Sequence, residues 1–433
     1  MMSWATRFQL RQHLRQSLWA VPLLGTLAGA GLAALDLGFE DRVTLPAGWT
    51  YTQSTASGLL STVAGAMVGL VGLVVTIGVL VVQMATGTLS PRFMRLWYRD
   101  RLQKVVLASF TATFSFSFSL LRQVGTGSVP DLGVTLAGLA VTADLILLLM
   151  YLDRFVHALR PVAVAAAMAR AGLAIVNAPL PPSDASRLAD RKALDHATAD
   201  LAVRASRSGA IQAVDVGGLV SFAADRSCVC VLRHTVGDFV TAGGVLMDVY
   251  GPVRTGDERR VVGLVALGHE RTIDQDPAFA VRIIVDIAIR ALSPAVNDPT
   301  TATQMVNHLG DLLGAIGTRD LDGRGLMVDG SGRLRLVAPM RSWEDYLELG
   351  VSEIRAYGRA SPQVCRRLRA MLADLDASVL PVNRAAVRRQ RELLDAAVTR
   401  AFSDGGDRAL ALGTDRQGIG GALTTPGPQH VHG

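Results

Sequence analysis

The chain has 433 residues, of which 50 % are hydrophobic and only 18 % charged. Those proportions exclude a disordered or collagen-like protein and argue against an ordinary soluble enzyme, in which charged residues make up about a quarter of the total. Lys and Arg (43) outnumber Asp and Glu (37) for a net charge of +6, and three unevenly spaced cysteines are too few for a disulfide framework.

Residues 1–17 form a basic N-terminal segment, and residues 18–152 hold four apolar stretches. The stretches run over Leu18–Leu35, Ser57–Ala85, Val105–Leu121 and Leu132–Leu152. Each reaches the roughly 17–25 residues that a helix needs to cross about 30 Å of hydrocarbon. Backbone inside lipid must satisfy its own hydrogen bonds, so the alternating Phe-Ser run at 114–119 is helical despite its strand-like period. Eight basic residues lie on one side: Arg7, Arg11 and Arg15, then Arg92, Arg95, Arg99, Arg101 and Lys104. The other two connections carry only Arg42 and Arg122. This bias predicts four spans in a bacterial inner membrane with both termini cytoplasmic. Trp49 and Tyr51 on one side, and Trp97 and Tyr98 on the other, stand where an aromatic belt would. A cleaved signal peptide is the alternative for the first stretch, which exceeds the roughly 7–15 residues of an h-region. Placed this way, the basic charge is no argument for nucleic acid.

The second stretch carries Gly58, Gly65, Gly69 and Gly72, spaced to let helix backbones approach closely. They serve packing within one four-helix subunit or, alternatively, a subunit interface or pore. Hydroxyls at every second position from Ser109 to Ser119 form two opposed helical stripes. That arrangement suits bonds to backbone carbonyls or to neighbouring helices better than one wet face. Asp144 lies near the middle of the fourth stretch, where an ionisable group usually faces protein or water. It is either a proton or cation site, or a protonated acid bonded to a hydroxyl such as Thr113 or Ser117.

Residues 153–210 read as a helical connector: an Ala-rich continuation of the fourth span to Ile175, a break at Pro179, Pro181 and Pro182, and a charged helix over 183–208. Residues 211–403 read as an α+β cytoplasmic domain, with strands between Ile211 and Leu267. The stretch Val236–Leu246 resembles the turn-and-strand unit of lipoyl- and biotinyl-type modules, without their modifiable Lys. Cys228-x-Cys230 with His234 falls short of the four ligands of a structural zinc, so a packed pair of thiols is expected and no metal is assigned. Between Pro277 and Leu292 the helix is apolar except for Arg282, Asp286 and Arg290, one stripe at four-residue spacing. Ser293, Asn297 and Asp298 supply cap and turn chemistry for a second helix to about Ile316. Arg271, Gln275 and Asp276 join the stripe as a structural polar network or, alternatively, as a pocket for an anionic small ligand. A hairpin turning at Asp329-Gly-Ser-Gly follows, then amphipathic helices over 343–357, 362–377 and 383–402. Arg366, Arg367, Arg369, Arg384, Arg388 and Arg389 on these helices face anionic lipid or simply solvent. Residues 404–433 read as a disordered tail.

Gln83, Ser90-Pro-Arg92, Arg99-Asp100, the segment Arg271–Arg282 and the run Ala-Leu-Ser-Pro294 … Asn297-Asp-Pro-Thr-Thr-Ala302 together resemble a bacterial family of predicted membrane proteins. That family is catalogued as a domain of unknown function, number twenty-two fifty-four. The resemblance covers residues from about 10 to 400 and implies four N-terminal spans, a cytoplasmic C-terminal domain and no established activity. Asp144 lies outside its pattern.

The sequence carries no Walker-type loop, Rossmann glycine pattern, His-Glu-x-x-His or nucleophile elbow, and Gly125-Thr-Gly127 sits in a short loop of the wrong context. No cofactor is implied, and an enzyme is the least supported class. Two expectations remain. One is a homo-oligomeric channel or transporter-like protein gated by its cytoplasmic domain, similar in architecture alone to small-conductance mechanosensitive channels. The other is a membrane-anchored sensor or scaffold that binds an anion or partner protein through Arg271, Arg282 and Arg290.

Overall fold

The computed structural model describes residues 2–39, 49–88, 100–124, 129–158, 160–178, 182–321 and 325–420. Arg42, Arg92, Arg95, Trp97, Tyr98, Arg99, Gly125–Gly127, Pro179 and Pro181, on which several expectations rest, lie outside them. The chain divides into two compact units, Arg11–Ala163 and a second made of Met1–Leu10 with Val164–Gly433.

The first unit is helical. After α1 (Trp4–Gln16), whose last residues belong to it, come α2 (Ala20–Phe39), α3 (Gln53–Thr88), α4 (Arg101–Val124) and α5 (Asp131–Ala158). Among the described residues α3, α4 and α5 are each long and apolar enough to cross a membrane, and a fourth span results if α1 and α2 count as one bent pair. The Phe-Ser run is helical, as a backbone in lipid requires. Phe116 is buried while Phe118 faces out and stacks on Phe114 at 5.8 Å.

α4 is the hub, packed on α2, α3 and α5. Its contact with α2 is close because glycine meets alanine there. A Cβ on Gly25 would stand 2.3 Å from the Ala108 carbonyl oxygen, and one on Gly29 2.1 Å from that of Ala112. Small residues four apart on both helices thus bring the backbones together. Thr111 bridges the pair, donating to Leu107 O one turn back and to Pro22 O across the interface, both at 2.9 Å. Lys104, buried near the start of α4, donates to the carbonyl of Arg15 at the end of α1 (2.5 Å).

The helix expected to continue from the fourth span ends at Ala158, and α6 (Pro161–Val176) starts anew. Pro161 has no N–H to bond back, and its ring excludes the carbonyl four residues earlier. The charged helix expected over 183–208 is reduced to a 3-10 turn (Ala185–Arg187) and α7 (Leu188–Leu194). β1 (Leu201–Arg204) replaces its second half, because Leu201 and Val203 find partners in Val249 and Met247 of β5 (Val245–Tyr250).

Two small sheets follow, with strands β2 (Gly209–Val214), β3 (Val229–Leu232), β4 (Phe239–Val240), β6 (Val265–Gly268), β7 (Leu326–Val328) and β8 (Leu334–Val337). One sheet runs β1-β5-β3-β8-β7, with β3 and β8 parallel and the other pairs antiparallel; the second runs β4-β2-β6. The β-rich stretch expected between Ile211 and Leu267 also contains α8 (Val216–Arg226), capped by Asp215, which accepts from Gly218 N at 3.0 Å. Leu219, Phe222 and Ala223 give that helix its buried face, and a short α9 (Asp257–Val262) follows later. The hairpin at Asp329-Gly-Ser-Gly forms as expected, with Asp329 accepting from Ser331 N at 2.8 Å.

The helical layer comprises α10 (Pro277–Ala291), α11 (Pro299–Gly317), α12 (Trp343–Gly358), α13 (Pro362–Ser378) and α14 (Arg384–Ala401). The tail expected to be disordered from residue 404 holds a short helix. Asp404 caps α15 (Gly405–Ala411), and Asp415 accepts from Gln417 N, Gly418 N and Gly420 N at 2.8–3.0 Å. Gln363 ties the segment to α13 through Gly418 O at 2.5 Å. The carboxylates of Asp404 and Asp415 satisfy backbone that composition alone marks as loose.

Candidate functional site

The polar stripe on α10 resolves into separate, locally completed groups. Asp276 caps the helix, accepting from Phe279 N at 3.2 Å, with Pro277 at the first helical position. Its other oxygen pairs with Arg271, whose guanidinium lies 5.7 Å from the centre of the Phe279 ring. Gly237, at φ +97°, provides the floor: a Cβ there would stand 2.3 Å from Arg271 Nε. Gln275 behaves as an extra strand residue, accepting from Val214 N (3.0 Å) and donating to Val214 O (3.2 Å).

One turn into the helix, Arg282 donates to Asp286 at 2.6 Å and forms a two-pronged pair with Glu353 on α12, its Nη2–Oε2 arm 2.9 Å long. The two carboxylates hold the guanidinium pKa above its usual value, Glu353 contributing most. Arg290, the third member, also has an interaction partner. Tyr346 on α12 is buried, and that burial, with the charge of Asp276 nearby, pushes its hydroxyl up to about 12.

The Asn297-Asp298-Pro299 run makes the corner between α10 and α11. Asn297 adopts φ +47°, which Asn tolerates better than most residues. Asp298 then caps α11, accepting from Thr301 N (3.0 Å) and Thr301 Oγ1 (2.5 Å), and Pro299 opens the helix. Sequence reasoning missed Glu353 and Tyr346, because neither spacing nor composition says which face of α12 meets α10. Of the arginines on the C-terminal helices, Arg367 donates to Asn307 (2.5 Å), Arg369 pairs with Asp395, and Arg388 lies 3.8 Å from Asp376. Cys228 and Cys230 lie buried in the sheet core. Among the described residues no group of three His, Cys, Asp or Glu side chains could hold a metal ion.

The helical unit is different. Asp144 is fully buried; its Oδ1 accepts from Ser109 Oγ at 2.5 Å, with Thr113 as a second hydroxyl neighbour. Its Oδ2 has no hydrogen-bond partner among the described residues, nor does the buried hydroxyl of Ser117. A second buried acid, Asp36 on α2, has no hydrogen-bond partner for either oxygen among the described residues. Its place directly after Leu35 reads in sequence as the polar end of a span, although the helix continues to Phe39. Among the described residues nothing lies within 4 Å of a Cβ built on Gly58, Gly65, Gly69 or Gly72.

Apolar helices of spanning length followed by an α+β region define the class: a multi-helix membrane protein with a separate mixed-sheet domain. The family model described as "Predicted membrane protein (DUF2254)" matches residues 15–374, and the chain belongs to that family. An uncharacterized protein of Mycobacterium tuberculosis (strain CDC 1551 / Oshkosh) is 33 % identical over 429 residues, covering 94 % of this chain and 81 % of the relative. An uncharacterized protein of Mycobacterium bovis (strain ATCC BAA-935 / AF2122/97) is 32 % identical with the same coverage. No solved structure matches the chain.

Proposed function

We propose that this is a homo-oligomeric channel or transporter-like protein of the bacterial inner membrane. It crosses four times, with both termini cytoplasmic, and the α+β unit controls permeation. The observation that carries the reading is the outward glycine face of α3. Gly25 and Gly29 show what a glycine used within the chain looks like: each has a backbone pressed against it. Gly58, Gly65, Gly69 and Gly72 have none among the described residues, which weighs against packing within the subunit as their role. Contact between copies, around a pore or at an interface, accounts for them.

The topology has support of its own. Ala5 N donates to Gly263 O (2.9 Å), Gln9 donates to Leu267 O (2.6 Å), and Ala5 packs with Ala213 and Ala266. An N-terminus docked on the sheet of the C-terminal domain favours an even number of crossings. The sensor reading has less behind it, since Arg271 and Arg282 already hold carboxylates.

Single-channel recording from the purified protein in lipid patches, at rest and under tension, tests the reading. Discrete openings altered by Gly65→Leu are expected. Silence across voltage and tension would overturn it.

A further inference from the structure

Asp36 has a setting that a pore along α3 does not use. It lies near the C-terminal end of α2, beside the start of α5. A Cβ on Gly133 would stand 2.4 Å from Asp36 Oδ2 and 2.6 Å from Leu120 Cδ1, so the missing side chain of Gly133 makes room for the carboxyl group. Asp36 is only 7 % exposed, and neither oxygen has a hydrogen-bond partner among the described residues. It lines a groove of about 550 Å³ between α2, α4 and α5, with Leu32, Leu35, Phe116 and Leu136 as walls and Thr113 as the other polar contributor. Asp36 is the one ionisable residue in that lining.

The volume falls within the roughly 300–1,000 Å³ of small-molecule pockets, and an apolar lining with one or two polar groups is their usual composition. A buried carboxyl group without a donor either keeps its proton and stays neutral or, when ionised, takes a counter-charge. Several candidate occupants fail on chemistry. A hydrated divalent cation needs about six oxygen ligands, and these walls are hydrocarbon. An acyl chain fills the groove and leaves the acid unanswered. A zwitterionic phospholipid brings a phosphate, and no Lys or Arg among the described residues lines the groove to receive it.

The geometry points to a binding site for a lipophilic organic cation, its apolar body between α2, α4 and α5 and its single positive charge on Asp36. The lining lies on α2, α4 and α5, and the proposal makes no use of the glycines of α3.

Equilibrium dialysis of tetraphenylphosphonium against the full-length protein in phosphatidylcholine nanodiscs tests the proposal. Saturable binding of one cation per chain is expected. Asp36→Asn keeps the shape, removes the charge and weakens binding at least tenfold. Ala140→Phe fills the groove, leaves the carboxyl group in place and weakens binding equally, so it carries the test should Asp36→Asn not fold. Asp144→Asn stays within twofold of the parent. Absence of saturable binding, equal affinity in Asp36→Asn and the parent, or an equal loss in Asp144→Asn would each overturn the proposal.

Discussion

The two units treat polarity and small residues in opposite ways. In the α+β unit the conspicuous charges are answered from within: Arg271 by Asp276, Arg282 by Asp286 and Glu353, and Arg226 by Asp257. Among the described residues of the helical unit, two buried acids keep oxygens without partners, and four glycines of α3 have nothing against them. A completed network is an architectural feature; an uncompleted one calls for an explanation of its own. Charged stripes, the most conspicuous signal in the sequence, therefore belong to the part of the protein that needs no ligand to explain them.

The largest expected effect probes the completed network. Asp276→Ala removes a helix cap and leaves Arg271 without its carboxylate, and should destabilise the α+β unit by about 2–4 kcal/mol. Urea unfolding followed by tryptophan fluorescence measures this through Trp343, which is buried in that unit. An unchanged midpoint would mean that the pair is ornamental.

Next comes a matched pair of glycine substitutions. Gly29→Leu drives a side chain into the Ala112 backbone and should cost about 1–3 kcal/mol or prevent α2 from docking. Gly65→Leu meets nothing among the described residues and should leave the stability of a dilute, monomeric preparation within about 0.5 kcal/mol. Thermal aggregation in detergent distinguishes them, and equal losses would erase the contrast between the two helices.

The smallest effect is one of pH. Asp257 accepts from Arg226 (2.9 Å, twice) and from Arg254 N (2.7 Å), and its pKa is lowered to about 2, with the Arg226 hydrogen bond the largest cause. A carboxyl group whose folded pKa is depressed contributes stability that is complete above its unfolded value, about 4, and lost as pH falls through about 2. Asp257→Asn should flatten the acid-unfolding curve between those limits. A curve of parental slope would remove Asp257 from the account.

The sequence made much of this architecture legible, for identifiable reasons. Long apolar runs have one solution in lipid, which decided the Phe-Ser segment. The helix from Pro277 and the Asn297-Asp298-Pro299 corner followed from proline, cap and periodicity signals that act locally. What failed depended on contacts distant in sequence. The strand at Leu201–Arg204 exists because β5 is there to pair with, α8 hid among glycines and β-branched residues, and Glu353 comes from 71 positions beyond Arg282. Asp36 was overlooked because a charge at the end of an apolar run reads as a boundary, and only the placement of Gly133 shows that it is enclosed. The roles of Gly65 and Gly69 were undecided between intrachain packing and contact between copies, since spacing cannot say which way a glycine faces.

The central claim, that the helical unit is completed by further copies meeting along α3, is tested most directly by cross-linking in native membranes. Gly65→Cys and, as a control on an exposed face of α5, Leu149→Cys would be oxidised in parallel. The account predicts a disulfide-linked dimer for Gly65→Cys and none above background for Leu149→Cys. A monomer in both, or equal dimer in both, would contradict it.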